Sequence, residues 1–179
     1  MFLSQRVPVL AFLLCPAMLC LALPGIARAE SDSHTVEVSA TILPRLELSV
    51  IPDTGSGIAF GALTQPADGT TASRSVNVAL NVFSNLGRPY EVTQTLRQPL
   101  TNAEGRTMAP EQFRMTTRQA AHGTLAPERA LMPGVPATLY TSDARGTSDA
   151  FLADYSLTAT PTTPAGTFQS DILYTVTSL

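Results

Sequence analysis

Apolar and polar residues alternate strictly near the start of this chain. The even positions of the first alternating segment are apolar: Val36, Val38, Ala40 and Ile42. After Pro44 the same parity resumes in a second segment, at Leu46, Leu48 and Val50. A period of two is typical of a half-buried β-strand. The pattern therefore predicts two consecutive strands, over 36–42 and 45–51, with a short proline-containing junction between them.

The rest of the chain is divided by Gly and Pro into short segments rich in Val, Thr, Ile, Phe and Tyr, which favours strands over helices. The further predicted strands cover 57–63, 75–83, 88–96, 112–117, 137–142, 149–160 and 166–179. The glycines of 57–63 predict a bulge or a close backbone approach, and 101–113 has room for one short helical turn near Pro110. We therefore predict an all-β protein, a β-sandwich of about seven or eight strands.

Residues 1–29 have the pattern of a secretory signal peptide. Arg6 supplies a basic start, an apolar run follows, and "ARA" at 27–29 matches a cleavage site after Ala29. Pro8 and Pro16 interrupt the apolar run, which is too short to predict a membrane span. We therefore predict export through the inner membrane, leaving 150 of the 179 residues as the mature chain, enough for one domain.

The predicted mature chain is acidic, with nine Arg, no Lys and fourteen Asp and Glu, so its formal net charge is −5. That balance, without a basic cluster, disfavours nucleic acid as a partner. Both cysteines lie in the leader, so the mature chain has no disulfide and its stability must come from its core.

Candidate chemical sites are few. His34 and His122 are isolated from each other and from any cysteine, which disfavours a metal site. Asp143 and Asp149 are too few and too far apart for a calcium loop, and we predict a solvated turn there. The chain contains no recognisable nucleophile, phosphate-binding or zinc motif. We therefore expect no enzymatic activity, no cofactor and no bound metal.

The first alternating segment has no evident partner in its own sheet. Two strands joined only by "ILPRL" cannot easily fold back on each other, because this junction has no Gly, Asn or Asp to supply a tight reversal. The last predicted strand runs to residue 179, which leaves its neighbouring edge open. We therefore predict that residues 30–43 form an extended arm that adds a strand to another molecule. The alternative is that 36–42 is the first strand of an ordinary, self-contained sandwich.

The ordered set of segments resembles the spore coat protein U domain family, which includes Csu-type pilins of the archaic chaperone–usher pathway. The resemblance is carried by "VEVSATILPRLELSV" (36–50), "IAFGAL" (58–63), "LYTSDARG" (139–146) and "PAGTFQSDILYTVTSL" (164–179). One departure is that family members often carry cysteines near the first strand, where this chain has Arg45, Leu46 and Glu47.

The resemblance implies an incomplete immunoglobulin-like sandwich over residues 44–179. A periplasmic chaperone would lend the missing strand, and an outer-membrane usher would exchange it for the arm of the next subunit. The implied product is a head-to-tail polymer, a pilus on the cell surface that serves adhesion or biofilm formation. The implied donor residues on the arm are Val36, Val38, Ala40 and Ile42. The implied acceptor groove is lined by Phe168, Ile172, Tyr174 and Val176.

A second hypothesis is a self-contained exported sandwich that binds glycan or protein. Sugar-binding surfaces rely on aromatic side chains, and this chain has no Trp and 6% aromatic residues overall. The composition therefore supplies such a surface poorly, and the structural subunit remains the leading hypothesis.

Overall fold

The computed structural model describes residues 32–55, 57–66 and 68–179. The predicted signal peptide, residues 1–29, lies outside them. Within the described residues the chain forms nine β-strands and one short 3-10 helix, Pro110–Gln112. The strands are β1 (Leu46–Pro52), β2 (Ala72–Ser84), β3 (Tyr90–Leu96), β4 (Phe113–Arg118), β5 (Thr124–Leu125), β6 (Arg129–Ala130), β7 (Ala137–Thr141), β8 (Asp149–Ala159) and β9 (Ile172–Ser178).

The strands form two antiparallel sheets, which confirms the predicted all-β sandwich. One sheet has the order β1-β2-β8-β4-β6 and the other the order β5-β7-β3-β9. The run β1-β2-β8-β4 matches the A-B-E-D sheet of an immunoglobulin domain, and β3-β9 matches the C-F pair. In an immunoglobulin domain strand G pairs with strand F, but across the described residues no strand pairs with the outer edge of β9. Among the described residues β9 is therefore an edge strand of its sheet.

The core lies between the central strands of the two sheets. Alternate residues of β2 and β8 are buried as their period predicts, and β3 and β7 face them from the other sheet. The largest fully buried side chains include three tyrosines: Tyr90, Tyr140 and Tyr155. Tyr140 stacks on Phe151 with the ring centroids 5.0 Å apart, which ties the two sheets together.

Two predicted strands are not strands in the structure. Residues 36–42, all described, have no regular secondary structure, and Val36 and Val38 are 80% and 89% exposed. Residues 57–63 are also outside both sheets, because Gly61 adopts a left-handed φ of +66° and turns the chain. Its ideal Cβ would lie 2.9 Å from the Arg74 guanidinium, which is the end of a flexible side chain and not backbone, so neither the predicted bulge nor the close backbone approach is found here.

The predicted solvated turn around Asp143 and Asp149 is wrong for the second residue. Asp149 is 8% exposed, and its carboxylate accepts hydrogen bonds from the Tyr140 hydroxyl and from the backbone N–H groups of Ala121 and His122. Asp143 does cap a turn, where it accepts hydrogen bonds from Thr147. The sequence showed two turn residues and could not show that one of them anchors a neighbouring loop.

Candidate strand-acceptor groove

The inward faces of β1 and β9 are less buried than those of the central strands. The inward residues are Leu46, Leu48 and Val50 on β1 and Ile172, Tyr174 and Val176 on β9. All pack against the core cluster, yet all remain partly exposed, whereas the equivalent positions of β2 and β8 are buried. The core is therefore covered on its central strands and open where these two edge strands meet.

β1 and β9 belong to different sheets but run close together, with Cα atoms of the two strands within 8 Å of each other. Each strand is the last in its sheet among the described residues. They form the two rims of a channel, which we call the β1–β9 groove and define by the six inward residues of the two strands. Paired strands lie about 4.8 Å apart, so a strand that pairs with both rims requires them to be about 10 Å apart. Where the two rims lie within 8 Å of each other, they must move apart to admit one.

The groove opens at one end into a cavity of about 1520 Å³. This end lies between the last residues of β1, the segment 57–65 and the segment 163–172 that leads into β9. Apolar side chains of the core form part of its lining: Leu96, Leu100, Met108, Phe113 and Leu157. The cavity is therefore lined mostly by the segments 57–65 and 163–172, with apolar core side chains exposed between them.

The hydrogen-bond parity of β9 makes its outer edge available. Arg97 donates its N–H to the carbonyl of Asp171, and Leu179 donates to the carbonyl of Pro89, so odd-numbered residues bond toward β3. In an antiparallel pair the alternate residues point their backbone groups the other way. The N–H and C=O groups of Ile172, Tyr174 and Val176 therefore point to the free edge of β9 in the plane of the sheet, while their side chains pack against the core.

The outer edge of β1 is available for the same reason. Asp53 donates to the carbonyl of Asn77, and Asn85 donates to that of Arg45, so the odd residues of β1 bond toward β2. The backbone groups of the even residues face the groove, except that Pro52 has no N–H to offer. Both rims therefore present backbone N–H and C=O groups for strand pairing, together with apolar side chains.

The segment 57–65 covers part of the cavity end without joining a sheet. Its side chains Ile58, Phe60 and Leu63 are partly buried against the core. Phe60 meets Phe113 edge to face with ring centroids 5.9 Å apart, and Arg74 donates a hydrogen bond of 2.9 Å to the Phe60 carbonyl. The segment is held by side chains rather than by a ladder, so it limits the groove at this end without filling it.

Beneath the rim, two tyrosines and a glutamine form a polar chain inside the core. The hydroxyls of Tyr155 and Tyr174 are 2.8 Å apart, and Tyr155 also donates to the side-chain carbonyl of Gln94. Burial raises the pKa of Tyr174 to about 12 and raises the pKa of Tyr155 well above its ordinary value. Both phenols are therefore held neutral, and they fix the position of Tyr174 on the groove wall.

We expect the folded protein to resist alkaline titration of its tyrosines. Burial raises the pKa of all four, Tyr90, Tyr140, Tyr155 and Tyr174, so phenolate absorbance should stay low near pH 10, where tyrosines of the unfolded chain ionise. Because the folded pKa values are raised, the stability that these groups contribute is complete below about pH 10. It is lost as the pH rises, for Tyr174 through about 12. A spectroscopic titration checks this, with Tyr174→Phe as the comparison; a step of full size at pH 10 in the folded protein would contradict it.

The structure brings the predicted acceptor residues together. Phe168, Ile172 and Tyr174 line the cavity end of the groove, and Val176 is partly buried against the core farther along β9. The opposite rim, where Leu46, Leu48 and Val50 face the groove, was not predicted from the sequence. Their shared even parity was visible in the sequence, but which edge β1 would occupy was not.

The predicted donor residues are exposed in the described structure. Ile42 is 84% exposed, and Val36, Val38 and Ala40 are also exposed. An alternating apolar face that remains exposed to water is the state from which a strand could be donated.

The described residues show neither a candidate metal site nor a candidate membrane-spanning helix. No group of three or more His, Cys, Asp or Glu side chains in this part of the chain is arranged to hold a metal ion. Among the described segments no helix is long and apolar enough to cross a membrane.

Comparisons with known proteins give little further information. No protein-family model and no curated protein matches this chain. Among solved structures, a chain from a chaperone–tip adhesin complex of CFA/I fimbriae biogenesis is similar, with 10% sequence identity and a TM-score of 0.44. The match covers 74% of this chain and 42% of the other, so this chain spans less than half the length of that neighbour. A similarity of this size supports no conclusion about what the protein binds.

Proposed function

We propose that the protein is a structural subunit of a surface fibre, assembled when the β1–β9 groove of one copy receives residues 36–42 of another. The observation that carries the proposal is the outer edge of β9, with which no strand of the described residues pairs. There, two rims combine partly buried apolar side chains with outward-facing backbone groups. An added strand would satisfy both at once.

The arm matches the groove in pattern. Its four even positions are apolar and alternate with polar residues, so one face would enter the groove while the other remained in water. Burial of Val36, Val38 and Ile42 contributes about 1.5–3 kcal/mol each. Ladder hydrogen bonds to β9 add roughly 0.5–1.5 kcal/mol apiece. The sum favours a tight, slowly dissociating joint, less the cost of ordering the arm.

Repetition of this contact produces a fibre. The donor surface and the acceptor surface are different parts of the same chain, so the contact is heterologous, and such contacts extend without limit unless the rotation closes a ring. Under this proposal the copies form a head-to-tail polymer at the cell surface, after export directed by residues 1–29. A periplasmic chaperone would cover the groove in transit and an outer-membrane usher would catalyse the exchange. The resemblance to Csu-type pilins supports these partners and a role in adhesion or biofilm formation.

The proposal is tested by separating the arm from the domain. We expect a chain lacking residues 30–43 to stay monomeric and to bind an added peptide of residues 34–43, because the groove then has no donor of its own. Fluorescence anisotropy of the labelled peptide measures the binding. A peptide with Val38→Asp should lose it, and a matched peptide with Ser39→Asp, on the opposite face, should keep it.

Two results would overturn the proposal. One is polymerisation of the shortened chain as readily as the complete one, since the joint would then not use the arm. The other is a shortened chain that folds but ignores the peptide, which would favour a self-contained binding module instead.

A further inference from the structure

The junction between the arm and β1 is fixed by one side chain. Asn85, the first residue after β2, accepts a hydrogen bond from the Arg45 N–H at 2.6 Å and donates one to the Leu43 carbonyl at 2.9 Å. Its own backbone N–H donates to the Arg45 carbonyl at 3.1 Å. Asn85 therefore bonds both backbone groups of Arg45 and one of Leu43, as two residues of a neighbouring strand would.

The sequence of the junction suits this arrangement. Leu43 and Arg45 have the odd parity with which β1 bonds to β2, so the junction continues the ladder beyond the last residue of β2. Pro44 lies between them and has no N–H that would need a partner. A residue before proline is restricted to extended conformations, which keeps Leu43 in line.

A second set of contacts holds Arg45. Its guanidinium lies over the ring of Phe83, 5.3 Å from the centroid, and also contacts the carboxylate of Glu47. Arg45 is thus held on the outer face of the sheet by β2 and by β1 itself. Rotation of the backbone at Arg45 would break these contacts together with those of Asn85.

The direction of the junction matters for which groove the arm can enter. The β1–β9 groove runs beside β1, so an arm entering the groove of its own copy must reverse between Ile42 and Leu46. A reversal there cannot keep Leu43 and Arg45 in the extended ladder that Asn85 bonds. Entry into the groove of a second copy requires no such change.

We propose that Asn85 is a positioning residue that holds the start of the arm in line with β1 and so favours donation to a second copy over insertion in the same copy. This inference rests on the proposed function. It adds to that function a structural feature, the hydrogen bonds of Asn85, that disfavours insertion of the arm into the groove of its own copy. Its two side-chain hydrogen bonds would shift the balance between closed monomers and polymers by about 10- to 100-fold.

The test measures that balance directly. The chain from Glu30 to Leu179 is refolded at a fixed low concentration, and size exclusion separates monomers from polymers. The labelled peptide of residues 34–43 is then added to the monomers, and a monomer whose groove is occupied by its own arm should not bind it. We expect Asn85→Ala to raise the ratio of closed monomer to polymer by about tenfold or more. Asn85→Asp, which can accept from Arg45 but cannot donate to Leu43, should fall between Ala and the original residue.

Matched variants make the result specific. Asn81→Ala removes the same side chain from an exposed position of β2, and the ratio should not change. Pro44→Gly loosens the junction while leaving Asn85 and the groove unaltered, and should also raise the closed fraction. This second variant decides the matter if Asn85→Ala fails to fold.

The outcomes are distinguishable. If the original chain polymerises and the folded Asn85 and Pro44 variants keep its ratio, the positioning role is wrong while the proposed function stands. If the original chain neither polymerises nor accepts the peptide after loss of its arm, both are wrong.

Discussion

Two variants that cannot polymerise alone are expected to form dimers, and nothing larger, when they are mixed. The first is Val38→Asp, which places a charge on the inward face of the arm. The second is Ile172→Asp, which places a charge on the β9 rim of the β1–β9 groove. In a mixture, the intact arm of the second variant enters the intact groove of the first, and neither remaining surface can extend the chain.

The expected effect is large because each substitution acts twice. It removes an apolar contribution of about 1.5–3 kcal/mol. It also buries a carboxylate without a partner, which costs at least as much again. Together these terms weaken a joint by at least about 100-fold, since each 1.4 kcal/mol is about tenfold. Size exclusion with light scattering would show monomers in each separate sample and dimers in the mixture.

The chain supplies matched controls one residue away. Ser39→Asp and Leu173→Asp carry the same charge on the outward faces of the arm and of β9, where Leu173 is already 47% exposed. Both should still polymerise. Polymers of either inward variant alone, or higher species in their mixture, would show that the joint does not use these faces.

The fold was predictable where burial on one face sets the period of the sequence. β2 and β8 are long, their alternate positions are apolar, and their predicted inward residues are buried. The 3-10 turn at Pro110–Gln112 was predictable from proline chemistry. The strands β5 and β6, with two residues each, were not predicted, because so short a run carries no measurable period.

The groove was predictable only in part, because it depends on which strands lie at the edges. The period of β9 showed that Ile172, Tyr174 and Val176 share a face. Only the register against β3 shows that their backbone groups are also turned outward. The segment 57–63 was predicted as a strand from its apolar residues, yet it covers the cavity end as a loop. Its apolar side chains pack on the core without a ladder, which a period alone cannot distinguish.

The hydrogen bonds of Asp149 are a second feature that could not be predicted from the sequence. Four donors meet its carboxylate: the Tyr140 hydroxyl at 2.9 Å and the backbone N–H groups of Ala121, His122 and Ala150. The residues that it joins lie on β7, at the start of β8 and in the loop after β4, so no local motif reveals the site. Burial raises the pKa of Asp149, but these hydrogen bonds outweigh it and the pKa lies below its ordinary value.

We expect Asp149→Ala to be among the most destabilising substitutions outside the apolar core, lowering the free energy of unfolding by about 3 kcal/mol. The reason is that the buried Tyr140 hydroxyl and the loop amides lose their acceptor while the cavity left by the carboxylate stays polar. Asp149→Asn keeps one acceptor oxygen but turns an amide toward donors, so it should recover part of the loss. Asp53→Ala, at an exposed position, should change stability by less than about 0.5 kcal/mol. Urea denaturation of the chain lacking residues 30–43 measures all three without interference from assembly.

The pH dependence of stability shows whether the Asp149 carboxylate acts through its negative charge. Because the pKa of folded Asp149 is lowered, the stability that it contributes is present above its ordinary value of 3.8 and is lost as the pH falls through the folded pKa. The original domain should therefore lose stability on acidification more steeply than Asp149→Asn does below that pH. If the free energy of unfolding fell equally steeply with acidification in the two proteins, the carboxylate would not be charged in the folded state. The loop at Ala121–His122 would then be held by neutral hydrogen bonds, and the substitution to Asn would be expected to cost almost nothing.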